Sequence, residues 1–346
     1  MKDKIRVGLI GAGRIGKIHA ENIMNFIADA ELVRLVDVKL DSAMESWGKK
    51  LEIPHISNDP EHVFKDDTID AVIICSSTDT HADFIIKAAQ AGKHIFCEKP
   101  IDVTVPKVLA AIDAVDKAGV KLQVGFNRRF DHNFKKIHEL NEQNDLGDIH
   151  IIKITSRDPA PPLASYVAVS GGIFLDMTIH DFDMARFQAG SEVTQVYATG
   201  AVLVDPEIGK AGDIDTAIIT LKFMNGALGV IDNSRKAVYG YDQRVEVFGA
   251  KGSAIAENDH PNTVRLLNEN GIYSEKPLYF FLERYKGAFI DEMRAFIHAV
   301  KINMPTAVTG KDGLEALLIA LAATKSLKEN RSVSIEEIKK EYGVHL

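Results

Sequence analysis

Residues 5–16 read IRVGLIGAGRIG, and the fold of the first third of the chain turns on this stretch. Val, Leu and Ile fall on both sides of a period-two alternation in IRVGLI, which suits a strand buried on both faces. Gly11, Gly13 and Gly16 follow at once, and IGKIHAENIMNFI after them carries apolar residues at helical spacing. In that setting each glycine has a reason. The first makes a tight turn, the second lets a pyrophosphate approach the backbone, and the third lets the helix pack on its strand. Free amides at the helix start would then hold the phosphates of a dinucleotide. Asp37 closes the next apolar run, 21 residues beyond Gly16. An acid there can accept both adenosine ribose hydroxyls and repel a 2′-phosphate, which points to NAD over NADP, with Lys39 leaving some room for NADP. A glycine turn beside a solvated aspartate is the plainer alternative, disfavoured because strand, helix and acid all fall in register.

Outward from that turn, the runs ELVRLVDV, DAVIICSS, KHIFCEK and KLQVGF alternate with helix-like segments as far as Val124. Strand, helix, strand alternation with doubly apolar strands predicts a parallel, doubly wound α/β sheet, a Rossmann domain over residues 1–124. Beyond it the texture changes. HIIKITSRD, QVYATGAVLV, DTAIITLKF, ALGVIDNSR and QRVEVFGAKG alternate apolar and polar residues and are joined by short turns such as MNGA and GAKG. These predict an α+β second domain over residues 125–346, built on a large, open, mainly antiparallel sheet. Two helical segments, LERYKGAFIDEMRAFIHAVK and GLEALLIALAATKSLKE, bracket the tail and could pack back on the first domain. Residues 158–172, DPAPPLASYVAVSGG, form the one long Pro- and Gly-rich loop, of a kind that often carries function.

The 346 residues suffice for two sizeable cores. A formal charge of −8 recruits neither nucleic acid nor anionic lipid, and no apolar stretch approaches the roughly 20 residues a membrane helix needs. The first apolar run holds turn glycines and reads as a strand, not a signal peptide. Cys75 and Cys97, the only two cysteines, lie in apolar runs and cannot build a disulfide framework, so a reduced, cytoplasmic setting is expected.

Two places carry candidate chemistry. Residues four and seven apart share a helix face, so GGIFLDMTIHDFDMARF predicts Asp176, His180 and Asp183 on one stripe after a glycine pair. An imidazole beside a carboxylate suits general acid-base work. A capping aspartate with a surface histidine is the bland alternative. A metal site is a third, but no HExxH or Cys-rich pattern supplies further ligands, and no metal is expected. The other place is CEKP, residues 97–100. Lys99 would stand at the carboxyl end of a parallel strand, where open α/β sheets bind ligands, with Pro100 biasing its backbone toward an extended form.

Together GAGRIG, CEKP and DMTIH resemble the motifs of the Gfo/Idh/MocA oxidoreductases. GFNRRFD (125–131), SRDPAP (156–161), MTIHDFDMARF (177–187) and YGYDQRVEVFGAKG (239–252) extend the resemblance over essentially the whole chain, and within the family it is strongest to bacterial inositol 2-dehydrogenases. The resemblance implies a catalytic set of Lys99, Asp176 and His180. It implies a cofactor-binding set of Gly11, Gly13, Arg14, Ile15, Gly16, Asp37, Ser76, Glu98 and Lys99. Arg129, Asp158, Asp176, His180, Asp183, Tyr239 and Tyr241 match substrate-side positions. The implied activity is NAD-dependent oxidation of a ring hydroxyl of myo- or scyllo-inositol to the inosose, by a homotetramer built through its open sheets. Where some inositol dehydrogenases carry His-Arg-Asn-Pro, this chain has Ser156, Arg157, Asp158 and Pro159, which leaves the isomer open. A dehydrogenase of another sugar or polyol is the main rival, and a non-catalytic dinucleotide sensor the lesser one.

Overall fold

The computed structural model describes residues 4–344, which divide into two compact units. One comprises residues up to Phe130 together with Ala288–Glu315, and the other Asp131–Gly287 with the residues from Ala316 onward. The sequence predicts a boundary at residue 124, whereas the first unit also takes in the segment through Phe130 and regains chain from the tail.

In the first unit, β1 (Ile5–Ile10), β2 (Ala30–Val36), β3 (His55–Ser57), β4 (Ala71–Ile74), β5 (His94–Glu98) and β6 (Leu122–Gly125) form one sheet in the order β3-β2-β1-β4-β5-β6. Every pairing is parallel. The strand order reverses between β1 and β4, the point at which such sheets open a crevice at their carboxyl ends. Burial follows the doubly apolar sequence, with all four residues of β4 and all four of β6 buried. Leu9, Leu35, Ile73 and Phe96 pack with Met293, Phe296 and Ile297 of the helix Lys286–Lys301, which covers one face of the sheet.

That core contains a polar island. His19, on the helix Arg14–Phe26, is fully buried, with Nε2 2.7 Å from Glu98 Oε1 and 3.9 Å from Glu292 Oε1. Glu292 is also fully buried, and neither of its carboxyl oxygens has a hydrogen-bond partner among the described residues.

In the second unit, β7 (Ile149–Arg157), β8 (Val193–Ala201), β9 (Thr216–Phe223), β10 (Leu228–Ser234), β11 (Asp242–Gly249), β12 (Gly252–Ala256) and, later in the chain, β15 (Val333–Ser334) form a sheet in the order β12-β11-β7-β10-β9-β8-β15. β7 and β10 pair in parallel and the other pairings are antiparallel, so the sheet is mainly antiparallel. One face is buried through alternate residues such as Ile152, Ile154 and Ser156. The other exposes Phe248, Ile151 and Leu228, which stand in register across β11, β7 and β10. Between β12 and β15, β13 (Arg265–Asn268) and β14 (Gly271–Ser274) form a separate exposed ribbon.

Three local expectations change. The long loop 158–172 contains a helix, Ala164–Ser170, closed by Gly171 and Gly172 at φ 83° and 85°. The single helix expected through Asp176, His180 and Asp183 is two, Ile173–Asp176 and Ile179–Ala189. Thr178 causes the break. Its amide and hydroxyl both donate to Ile173 O, five residues back, and the hydroxyl lies 2.7 Å from Asn233 Oδ1 of β10, widening the turn out of α geometry. Likewise LERYKGAFIDEMRAFIHAVK forms two helices, Phe281–Arg284 and Lys286–Lys301, that meet at Tyr285.

Burial pushes the Glu292 carboxyl well above the ordinary carboxylate range, and the Glu98 charge adds to the shift. The folded chain therefore holds this proton more tightly than the unfolded one. Its contribution to stability is complete below about pH 4.3, the unfolded value, and falls as pH rises toward the folded value. Glu292→Gln removes that liability. Thermal unfolding followed by circular dichroism from about pH 5 to about pH 9 should show the variant gaining on wild type as pH rises. A gap that stays constant or narrows would contradict a protonated Glu292.

Candidate active site

The first unit supplies the glycine turn. Gly11 stands at φ 97°, and a Cβ on it would lie 2.5 Å from the Cys75–Ser76 backbone at the end of β4. A Cβ on Gly16 would lie 1.8 Å from Gly11 O. Around Gly13 there is nothing within 4 Å, so one side of the turn is open to a phosphate. Arg14 is exposed and Ile15 half-buried at the start of the helix. Asp37 Oδ2 accepts from Ala12 N at 2.7 Å and Oδ1 from Lys39 N at 2.8 Å, so its carboxylate is held against the turn. An ionised carboxylate has further acceptor sites for ribose hydroxyls. This arrangement fits a dinucleotide.

Lys99 directly follows β5 and is half-buried. The Glu98 carboxylate is bonded to His19. Ser76 is held from two sides, through its hydroxyl 2.7 Å from Thr80 Oγ1 and its carbonyl 3.0 Å from His81 Nε2. The buried His81 ring also turns Nδ1 to Pro100 O at 2.8 Å, joining the ends of β4 and β5. Arg129 donates to Asp312 Oδ1 at 2.9 Å within the same unit.

In the second unit Asp176 ends its helix with both carboxylate oxygens engaged. Oδ1 accepts from Tyr166 OH at 2.8 Å and Oδ2 from Arg235 Nη1 at 3.0 Å. The same nitrogen lies 3.5 Å from Asp158 Oδ2. Arg235 is buried, so the guanidinium is a low-mobility bridge between two carboxylates that would otherwise repel each other. His180 opens the next helix and is half-buried. Asn233 fixes that helix by accepting from Thr178 and donating to Asp181 Oδ2 at 3.0 Å. Asp183 is buried near Arg186, at 3.8 Å.

The two tyrosines part company. Tyr239 OH is a hydrogen-bond partner of Asp242 and accepts from Arg157 Nη1 at 3.1 Å; Arg157 in turn is paired with Asp232. Asp232 and Asn233 are successive residues of β10 and point to opposite faces, so Tyr239 belongs to the face away from the Thr178 anchor. Tyr241 is buried against Phe280 and Tyr285. Burial, and then the hydrogen bond to Asp242, raise the Tyr239 phenol, against the hydrogen bond from Arg157, which lowers it.

Sequence reasoning missed Tyr166, Arg235, His81 and His19. Tyr166 sat in a loop already marked as suggestive, and His19 was a polar residue on an apolar helix face. Nothing local marked Arg235. Two groups of metal-capable side chains occur among the described residues, His19 with Cys75 and Glu98, and Asp131 with His132 and Asp259. A hydrogen bond closes the first, and Arg284 stands between the acids of the second.

Residues 5–126 match the model of an oxidoreductase family with an NAD-binding Rossmann fold, and residues 134–255 match the GFO/IDH/MocA C-terminal domain. The chain is 54% identical over 334 residues to the myo-inositol 2-dehydrogenase of Thermotoga maritima, covering 96% of this chain and 99% of the relative. It is 46% identical to the inositol 2-dehydrogenase of Rhizobium meliloti, with the same coverage. Its fold is similar to that of Lactobacillus casei scyllo-inositol dehydrogenase solved with NAD(H) and scyllo-inositol, with a TM-score of 0.89 and 34% identity over 96% of this chain and 99% of that one.

Asp37→Asn keeps an acceptor for Ala12 N–H while removing the charge. A charge-assisted hydrogen bond contributes about 1.5–3 kcal/mol, so the ratio of kcat/KM for NAD to that for NADP should fall roughly tenfold or more. Steady-state rates with both cofactors check this, and an unchanged ratio would remove Asp37 from the ribose site.

Proposed function

The chain belongs to the Gfo/Idh/MocA oxidoreductase family, and we propose that it is an NAD-dependent inositol 2-dehydrogenase that oxidises a ring hydroxyl of myo- or scyllo-inositol to the inosose. The observation that carries the reading is the polar array around Asp176. Tyr166, Arg235 and Asp158 hold it in place one turn before His180, and a ring bearing a hydroxyl on every carbon needs such a set of donors and acceptors. Gly11, Gly13, Gly16 and Asp37 hold the dinucleotide, whose nicotinamide accepts the hydride.

His180 takes the proton from the reacting hydroxyl. Lys99 donates a hydrogen bond to that oxygen and stabilises its developing negative charge. Asp176 orients the imidazole or grips the adjacent hydroxyl, and Arg235 holds Asp176 in place. Myo- and scyllo-inositol differ in the orientation of one hydroxyl and give the same ketone on oxidation at that carbon.

The exposed row of Phe248, Ile151 and Leu228 favours self-association through the outer sheet face, in a homotetramer. Burial raises both thiols, neither of which is in a disulfide, which suits a reducing, cytoplasmic compartment. No helix among the described residues is long and apolar enough to cross a membrane.

NADH formation is measured on a panel of myo-inositol, scyllo-inositol, glucose and xylose. Turnover is expected on one or both inositols, and Lys99→Ala and His180→Ala should each lower kcat by about a hundredfold or more with the fold retained. Near wild-type turnover by either variant would remove that residue from the chemistry, and activity confined to the aldoses would move the substrate class.

A further inference from the structure

The island of His19, Glu98 and Glu292 lies in an otherwise apolar layer. The His19 ring stands edge-on to Phe96, at 5.0 Å between centroids, and to Phe289, at 5.8 Å. Glu98 is the last residue of β5, and its carboxylate lies over Gly125, its partner in register on β6. A Cβ on Gly125 would come within 3.1 Å of the carboxylate carbon and Oε2. The Cys75 thiol faces the same group, with Cys97 on the strand itself, and burial keeps both thiols protonated. Glu292 closes the island from the helix Lys286–Lys301, its backbone carbonyl accepting from Gln123 Nε2 of β6 at 2.8 Å.

Buried polar pairs of this kind add little to stability, because well-packed apolar side chains of similar volume usually serve as well or better. The island's position suggests another use. Lys99 opens the bend that follows β5, one residue beyond Glu98. A Glu98 side chain bonded to His19 on the first helix therefore holds the strand end from which Lys99 departs.

We propose that His19, acting through Glu98, is a positioning residue for Lys99. The inference rests on the reading of Lys99 as the residue that stabilises the reacting oxygen. His19 touches neither cofactor nor substrate in this account; it fixes the strand end from which the lysine reaches them.

The test uses the full chain and compares His19→Leu, which suits the surrounding phenyl rings but removes the donor, with His19→Gln, which keeps a donor to Glu98. Glu98→Gln is a second route to the same loss. His19→Leu should lower kcat about tenfold to a hundredfold, as small misplacements of catalytic groups do, with the KM for NAD and the melting temperature near wild type. His19→Gln should restore most of the rate. Placed in a Lys99→Ala background, His19→Leu should cost nothing further, because the two residues act on one step. Wild-type kcat in His19→Leu would overturn the proposal, as would equal losses in Leu and Gln variants with lowered melting temperatures, or losses that multiply with Lys99→Ala. If Lys99→Ala alone keeps full turnover, the reading of the lysine fails instead.

Discussion

The rest of the first unit depends on the crossing of the turn after β1 over the end of β4. Gly11 N donates to Val36 O at the end of β2, and Cys75 N donates to Ile10 O, both at 2.8 Å, so three strand ends are tied within one turn. No side chain fits between them. That contact places the open amides of the next helix at the reversal of strand order, with Asp37 close enough to bond the turn itself. A ligand with two phosphates and a ribose is what such a geometry accepts.

The second unit solves a different problem, that of holding charged side chains still. Its devices are buried and paired. Asn233 and Thr178 anchor the helix start, and Arg235 sits between Asp158 and Asp176. The paired groups orient one another. The break between the two short helices belongs to the same device, because the hydroxyl that bends the chain is also the one that grips β10.

What could be read from residues alone follows from how locally each constraint is written. GAGRIG was legible because tight turns and close approaches are recorded in residue type. CEKP and DMTIH were legible as short motifs once the family resemblance joined them. The clamp on Asp176 was not. Tyr166 lies ten residues away and Arg235 fifty-nine, and which of many polar residues meets Asp176 is settled only by the path of the chain. Helical spacing also missed the break at Thr178, since it records side-chain direction and not a hydroxyl competing for a carbonyl. Tyr239 and Tyr241 read as a pair, but Gly240 between them, at φ 136°, lets the chain send one to the outer face and the other into the interior.

The central claim is direct transfer of hydrogen from a ring carbon of inositol to the nicotinamide. Incubation with NAD and either myo-inositol deuterated at carbon 2 or scyllo-inositol deuterated at all six ring carbons, followed by proton NMR of the cofactor, tests it most directly. The account predicts that the reduced nicotinamide carries the deuterium on one face of carbon 4 while the sugar ring becomes a ketone. Reduced cofactor lacking the label, or turnover of neither isomer, would contradict it.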